Sequence, residues 1–581
     1  MSSNTKTLTE GPLAKQILLV SLPLAFSNLL QVLFNMSDVA VVGRFAGSTA
    51  LGAVGSTSIL VSLFTGFLIG LSGGINVLVA RFYGARHAGD VEKTVHSAAI
   101  VSLIAGVVLL FVGLLGSPFM LRLLNTKEDL LPGAILYLRV YFLGMPALAL
   151  YNFGNAVFSA IGDTKKPLIY LSIAGALNIL LNLFFVIVCQ LSVVGVALAS
   201  AISQCVSAGL ILRALTRVQD CYVLDTHKLH LDPDLTRSIL GLGLPAGFQN
   251  AIFAIANLFI QAGVNSFDSL MVKGNSAAAN ADAMIYDCMA AFYMACASFM
   301  SQNYGAGKPD RVKKSFFISL AYSFGVGLIL GGSLFFFGRS FLALFTTESA
   351  VIDAGMKRVR VMGLAYCISA FMDCTIAASR GLGKTIVPTI IVVMGSCVFR
   401  VIWVYTIFAH FHTIPSLYAL YPCSWALTAL AEIVYFAHCY KESMRIFERF
   451  GHNAALHADG QDAAGWVVVQ PDAPLRRRQS VAGGIHRQVL HAHHKSAGAR
   501  PVGLFHQPVC VLPEMQLPQK APGLLFIAAQ QIGRGGCIAD LESGLVVEQQ
   551  VCPVLADVLR HPQGSQTPVS YTHLTLPTTE R

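Results

Sequence analysis

Charge is scarce in this chain: Asp, Glu, Lys and Arg make up 12% of its 581 residues, against about a quarter in soluble globular proteins. With 55% hydrophobic residues and a positive mean hydropathy, that scarcity excludes an ordinary soluble enzyme and places the chain among membrane proteins. The sequence also lacks a glycine-rich phosphate loop, a catalytic-triad pattern and a zinc spacing, which argues against ATP hydrolysis and for a non-enzyme without cofactor. Its 13 cysteines show no paired spacing and are mostly scattered singly through apolar segments, so they read as reduced buried thiols without a disulfide framework. No cleavable signal peptide is evident, because the apolar run after Ile17 is too long for a signal h-region. The first span is expected to act as its own insertion signal. A net charge of +10 does not point to nucleic acid, since Lys and Arg sit in short loops between apolar runs, where they mark membrane orientation.

What is present is a series of long apolar runs. About 20 mostly apolar residues cross a hydrocarbon core about 30 Å thick. Twelve such segments fall at 16–40, 54–79, 95–117, 135–159, 168–190, 193–215, 239–265, 276–300, 315–338, 357–380, 387–408 and 416–439. A polar loop carrying Asp220, Asp225, Lys228, Asp232, Asp234 and Arg237 separates the sixth from the seventh. With the amino terminus inside, twenty Lys and Arg fall inside and nine outside, among them Lys357, Arg358 and Arg360. The positive-inside rule then sets both termini of the helical body in the cytoplasm of a bacterial inner membrane.

The two sets of six are repeats. Pro23, Phe26 and Asn28 match Pro245, Phe248 and Asn250, 222 residues on. Tyr83, Gly84, Ala85 and Val91 match Tyr304, Gly305, Ala306 and Val312, 221 on, as Gly162, Thr164 and Pro167 match Gly383, Thr385 and Pro388. Six spans per repeat give both halves one orientation. The expected fold is an all-α polytopic membrane protein of twelve helices, in two six-helix parallel repeats related by a pseudo-two-fold axis along the membrane normal. This is a transporter architecture, with a site between halves that rock to give alternating access. The expected organisation is a lobe over 1–215, a cytoplasmic inter-lobe loop over 216–238, a second lobe over 239–450 and a tail over 451–581.

Asp38 followed by VAVVGRFAGSTALGAVG, the loop SQNYGAGKPDRVKK at 301–314, and the paired loops SAIGDTKKP and SRGLGKTIVP resemble the multidrug and toxic compound extrusion (MATE) family over residues 10–447. The resemblance implies a two-lobed secondary exporter that exchanges amphipathic, often cationic drugs for Na⁺ or H⁺. A lipid-linked oligosaccharide flippase of related fold is the alternative. Such a protein often carries several basic cavity residues, whereas the clearest buried charges here are mostly acids. The expected partners are small organic cations and the lipid bilayer, with no nucleic acid, and the chain is expected to be monomeric.

Ionisable groups within the bilayer are functional candidates by default. Asp38 has Ile260 as its repeat counterpart, so packing common to both halves does not require the acid. In the family a carboxylate here belongs to the coupling site. Asn178 and Asn182 lie one turn apart on one face of the fifth span. The family often has a second acid where Asn182 stands, so a two-carboxylate proton site is in doubt, while one carboxylate with amide oxygens still suits Na⁺ at Asp38, Asn178 and Asn182. Ser200 and Asn152 match polar positions of the same cavity; for each, an interhelical hydrogen bond is the bland alternative. In the second lobe Asp373 is the counterpart of Asn152. Depth counting brings Arg400 within reach of Asp373 and Glu432, the pairing with Glu432 reading as structural. Asp287 is expected to line the central cavity. Gly66, Gly70 and Gly74, and Gly327 and Gly331, read as close helix packing.

After about Gly451 the composition shifts to His, Gln, Pro and Val. His486, His491, His493 and His494 have no second ligand cluster to make a metal site. The closing VSYTHLTLPTT resembles the translation of a sequencing-library adapter, so the tail reads as disordered or as an artefact of assembly.

Overall fold

The structure, a computed structural model, describes residues 8–343 and 348–455, with side chains through 446. It is helical throughout its spans. The first lobe runs α1 (Leu13–Val41), α2 (Ser48–Gly84), α3 (Ala88–Leu123), α4 (Leu131–Phe142), α5 (Met145–Ile161), α6 (Lys165–Leu183) and α7 (Ser192–Thr216). The second runs α8 (Pro233–Asn265), α9 (Ser269–Gly305), α10 (Pro309–Leu342), α11 (Ser349–Met362), α12 (Tyr366–Gly381), α13 (Ile386–Phe411) and α14 (Leu420–Ala455). Ten helices are long and apolar enough to cross a membrane, and the bent pairs α4–α5 (48°) and α11–α12 (52°) bring the total to twelve when each is one span. The Tyr-Gly-Ala turns after α2 and α9 are equivalent, with Gly307 at φ 67° and its counterpart Arg86 at φ 59°. Gly162 and Gly383, at φ 90° and 88°, supply the left-handed residues that end α5 and follow α12.

The repeat relation appears as reciprocal contacts. Asn28 on α1 donates to the Asp287 carbonyl on α9 at 3.0 Å, and its counterpart Asn250 on α8 donates to the Gly66 carbonyl on α2 at 2.9 Å. Arg81 donates to the Gly381 carbonyl as its counterpart Gln302 donates to that of Ala160. Asn76 accepts a 2.9 Å bond from Ser298, 222 residues away. The offset between α2 and α9 is 221, so Ser298 adjoins Ala297, the counterpart of Asn76, and such near-counterparts meet only close to the two-fold axis. Beside it, Gly70 and Gly74 of α2 lie against the backbones of Gly247 and Gly243 of α8, with no room for a Cβ. Gly327 meets Met289 and Cys367, and Gly331 meets Gly363. The expected close packing of these glycines is present.

The lobes are joined at the base, the end of the bundle that carries residue 8. There the Leu8 N–H donates to Gln302 Oε1 (3.1 Å), Lys308 Nζ donates to the Thr9 carbonyl (3.0 Å), and Arg311 donates to the carbonyls of Leu8 and Gly11. The segment between the lobes is polar in composition but docked. Tyr222 and Leu224 are buried, and the Asp225 and Asp232 N–H groups donate to His96 Nε2 (3.2 Å) and Ser97 Oγ (3.0 Å). The turn at Asp225–Lys228 holds the Asp225 carboxyl below its usual range, through the His227 N–H and the Lys228 ammonium. The hydrogen bonds described between the lobes all lie at the level of Asn28 and Asn250 or nearer the base. Toward the opposite end, the mouth, no such bond joins the lobes among the described residues.

Two readings need correction. The tenth span begins at Ser349, not 357, so Arg358 lies inside α11 and is buried. α14 continues through Ala455, past the proposed start of the tail. The rest of the tail, with His486, His491, His493 and His494, lies outside the described residues.

Candidate functional site

Asp38 sits on the last turns of α1, directly before a π-helical turn at Val42–Ala46. Asn182 stands at a matching place on α6, directly before a second π turn at Phe184–Val188. Such turns redirect side chains and recur at functional sites. Here the two adjoin a polar cluster shared by three helices. The Asp38 carboxylate accepts from Asn182 Nδ2 and, at 3.2 Å, from Ser200 Oγ. Asn178 links the pair by donating to Ser200 Oγ (3.3 Å) and accepting from Asn182 (3.1 Å). Three helices, α1, α6 and α7, thus bring together four of the five first-lobe candidates. Asn178, Asn182 and Ser200 are buried, and the Asn182 carbonyl oxygen has no hydrogen-bond partner among the described residues. The fifth, Asn152, stays apart: its amide donates to the Leu148 carbonyl of its own helix, one turn back, at 2.9 Å. That local bond satisfies a buried amide without the cluster.

The second-lobe candidates do not assemble as expected. Asp373 on α12 accepts from Tyr286 Oη at 3.2 Å, and its other oxygen has no hydrogen-bond partner among the described residues. Arg400, between two π turns of α13, donates from Nε to Ser424 Oγ (3.0 Å) and lies over the rings of Tyr421 (4.8 Å) and Phe253 (5.7 Å). It therefore pairs with neither acid; ring faces meet its delocalised charge instead. Glu432 is fully buried, and neither of its oxygens has a hydrogen-bond partner among the described residues. Asp287 is half-buried at the level of the outermost hydrogen bonds described between the lobes, with its carbonyl held by Asn28.

The strongest buried charge pair escaped the sequence reading. Arg358 Nη2 lies 2.6 Å from Asp282 Oδ2, Arg358 also reaches Asn275, and Tyr418 donates to Asn275 at 2.6 Å. The pair ties α9, α11 and the start of the twelfth span together in the half of the lobe nearer the mouth. Asp282 in an apolar span was a signal that such a partner must exist. No group of three His, Cys, Asp or Glu that could hold a metal occurs among the described residues.

The chain is similar to transporters of one kind. A probable multidrug resistance protein of Bacillus subtilis, YpnP, is 29% identical over 62% of this chain and 80% of its own length. The FAD transporter of Shewanella oneidensis is 24% identical over 62% and 80%. Among solved structures, a multidrug resistance MATE family transporter in its outward-facing conformation superposes with a TM-score of 0.71, at 21% identity, over 76% of this chain and 99% of that one. The model of the MatE family matches twice, at residues 23–184 and 245–406, one match per repeat. Those matches span more than half of the chain in the register its own internal repeat sets, and the protein belongs to the MatE family.

Proposed function

We propose that this protein is a secondary active multidrug exporter, which antiports amphipathic and often cationic compounds against Na⁺ or H⁺ across a bacterial inner membrane, with its base toward the cytoplasm. The observation that carries the reading is the Asp38–Asn178–Asn182–Ser200 cluster, which belongs to the first lobe alone. Repeat symmetry gives the shared packing no use for it, so a separate task is the economical account. Relatives named for multidrug resistance and multidrug export support the substrate class.

The cluster's donors suit a hard cation. One carboxylate, two amide oxygens and a hydroxyl are the ligands Na⁺ accepts, and the unpartnered Asn182 carbonyl is a free donor beside Asp38. A proton could use the carboxylate alone, because amides do not bind it. Na⁺ therefore couples at least as readily as H⁺. Binding of either ion would loosen Asp38 from Asn182 and Ser200, and that exchange of partners gives the ion a differential hold on two lobe conformations, which coupling requires. Efflux from proteoliposomes at fixed pH, with and without an inward Na⁺ gradient, tests it. Acceleration by Na⁺ is expected, with Asn182→Asp shifting the response toward protons. Efflux that follows a pH gradient alone in both forms contradicts the Na⁺ assignment.

A further inference from the structure

The asparagines that clasp the two lobes have companions two turns nearer the mouth. Asn35 follows Asn28 by seven residues on α1, and Asn257 follows Asn250 by seven on α8. Seven residues are nearly two full turns, so each outer asparagine shares the face of the inner one. The inner faces point at the opposite lobe, since Asn28 binds α9 and Asn250 binds α2. Asn35 and Asn257 therefore point across as well. Both are exposed, and both lie beyond the outermost hydrogen bonds described between the lobes. They are also repeat counterparts, 222 residues apart like the inner pair.

Lipid is a poor account of this exposure. An amide left without a partner in hydrocarbon costs about 2–7 kcal/mol, and polar residues in spans turn to the bundle interior or to water. The facing helices agree. Ser62, one turn mouthward of Gly66 on α2, is exposed, and Asn280, two turns mouthward of Asp287 on α9, is half-exposed. Amides and hydroxyls thus line both walls above the clasp, with Asp287 the acid at its floor.

We propose that Asn35 and Asn257 are a symmetric pair of specificity-determining amides, which select organic cations bearing hydrogen-bonding groups over purely lipophilic cations. This deepens the exporter reading and rests on it for the substrate's passage. An amide offers both a donor and an acceptor without charge, so a pair on opposed walls rewards ligands with amino, hydroxyl or amide groups on two sides. Asp287 supplies the attraction for positive charge common to all of them.

The test is binding to the purified full chain, read by fluorescence anisotropy with ethidium, which carries two aromatic amines, and by competition with tetraphenylphosphonium, which has no hydrogen-bonding group. Asn35→Ala and Asn257→Ala are each expected to weaken ethidium about five- to tenfold, with tetraphenylphosphonium changed less than about twofold. Asn257→Ser, which keeps a hydrogen-bonding group, should retain part of the selectivity. Equal weakening of both probes, or ethidium binding unchanged in both alanine variants, overturns the proposal. Selective loss in binding without gradient-driven efflux by the wild type would uphold the pair while refuting export.

Discussion

At the scale of single residues, two positions carry energy that their repeat counterparts reveal. Arg86 holds a left-handed backbone where the other lobe has Gly307. A side chain there costs roughly 1–2 kcal/mol, and the Arg86–Glu10 ion pair, exposed on both sides, offsets little of it. Arg86→Gly is therefore expected to raise the melting temperature and Gly307→Ala to lower it, each by an amount that thermal unfolding in detergent resolves. Unchanged melting in both would contradict the strain. The Arg358–Asp282 pair is the opposite case, a partnership whose rupture strands a buried charge. Asp282→Ala should destabilise by about 3–5 kcal/mol, and Asp282→Ala/Arg358→Met should recover much of that loss. A double variant as unstable as the single one would show that Arg358 is not the partner that matters.

At the scale of elements, the glycines at the base are the closest contact between lobes. A Cβ on Gly84 would overlap the Gln302 carbonyl, and one on Gly305 that of Arg81. Either alanine forces the base apart in a packed seam, at about 1–3 kcal/mol. The expected outcome for Gly84→Ala is a longer distance between spin labels placed across the base and a shorter one across the mouth; distances equal to the wild type's contradict the seam's role in holding this state. The spans themselves were legible, because hydropathy over 20 residues outweighs local detail. The tenth was drawn short: its first turns carry Asp353, Lys357, Arg358 and Arg360, and charge hid a helix whose buried arginine is answered by Asp282, 76 residues away. No local period reports such a pairing. The same limit applies to Asn152 and Arg400, whose partners, the Leu148 carbonyl and the ring faces around α13, depend on side-chain direction. The first-lobe cluster was legible through the family resemblance, which implied one cavity for Asp38, Asn178, Asn182 and Ser200. Asn152 shows that a polar group in an apolar span can also be satisfied by its own helix.

At the scale of the whole molecule, reciprocal helix contacts below the clasp and an Asp38 cluster in the first lobe alone divide the labour. The repeated contacts from Asn28 and Asn250 down to Gly84 and Gly305 join the two lobes around the Asn76–Ser298 bond. In the proposed antiport the lobes rock on that seam, and the asymmetric Asp38 cluster is what lets an ion bias the motion. If so, ion and drug need not share a site, and losing the ion's carboxylate should leave the drug's binding intact. The decisive measurement is ethidium transport by wild type and Asp38→Asn in proteoliposomes, with Na⁺ and pH gradients imposed separately, alongside binding to the purified proteins. Wild-type efflux driven by at least one gradient is predicted, with its loss in Asp38→Asn at unchanged ethidium binding. Gradient-driven efflux that persists at wild-type rate in a folded Asp38→Asn protein would contradict the account.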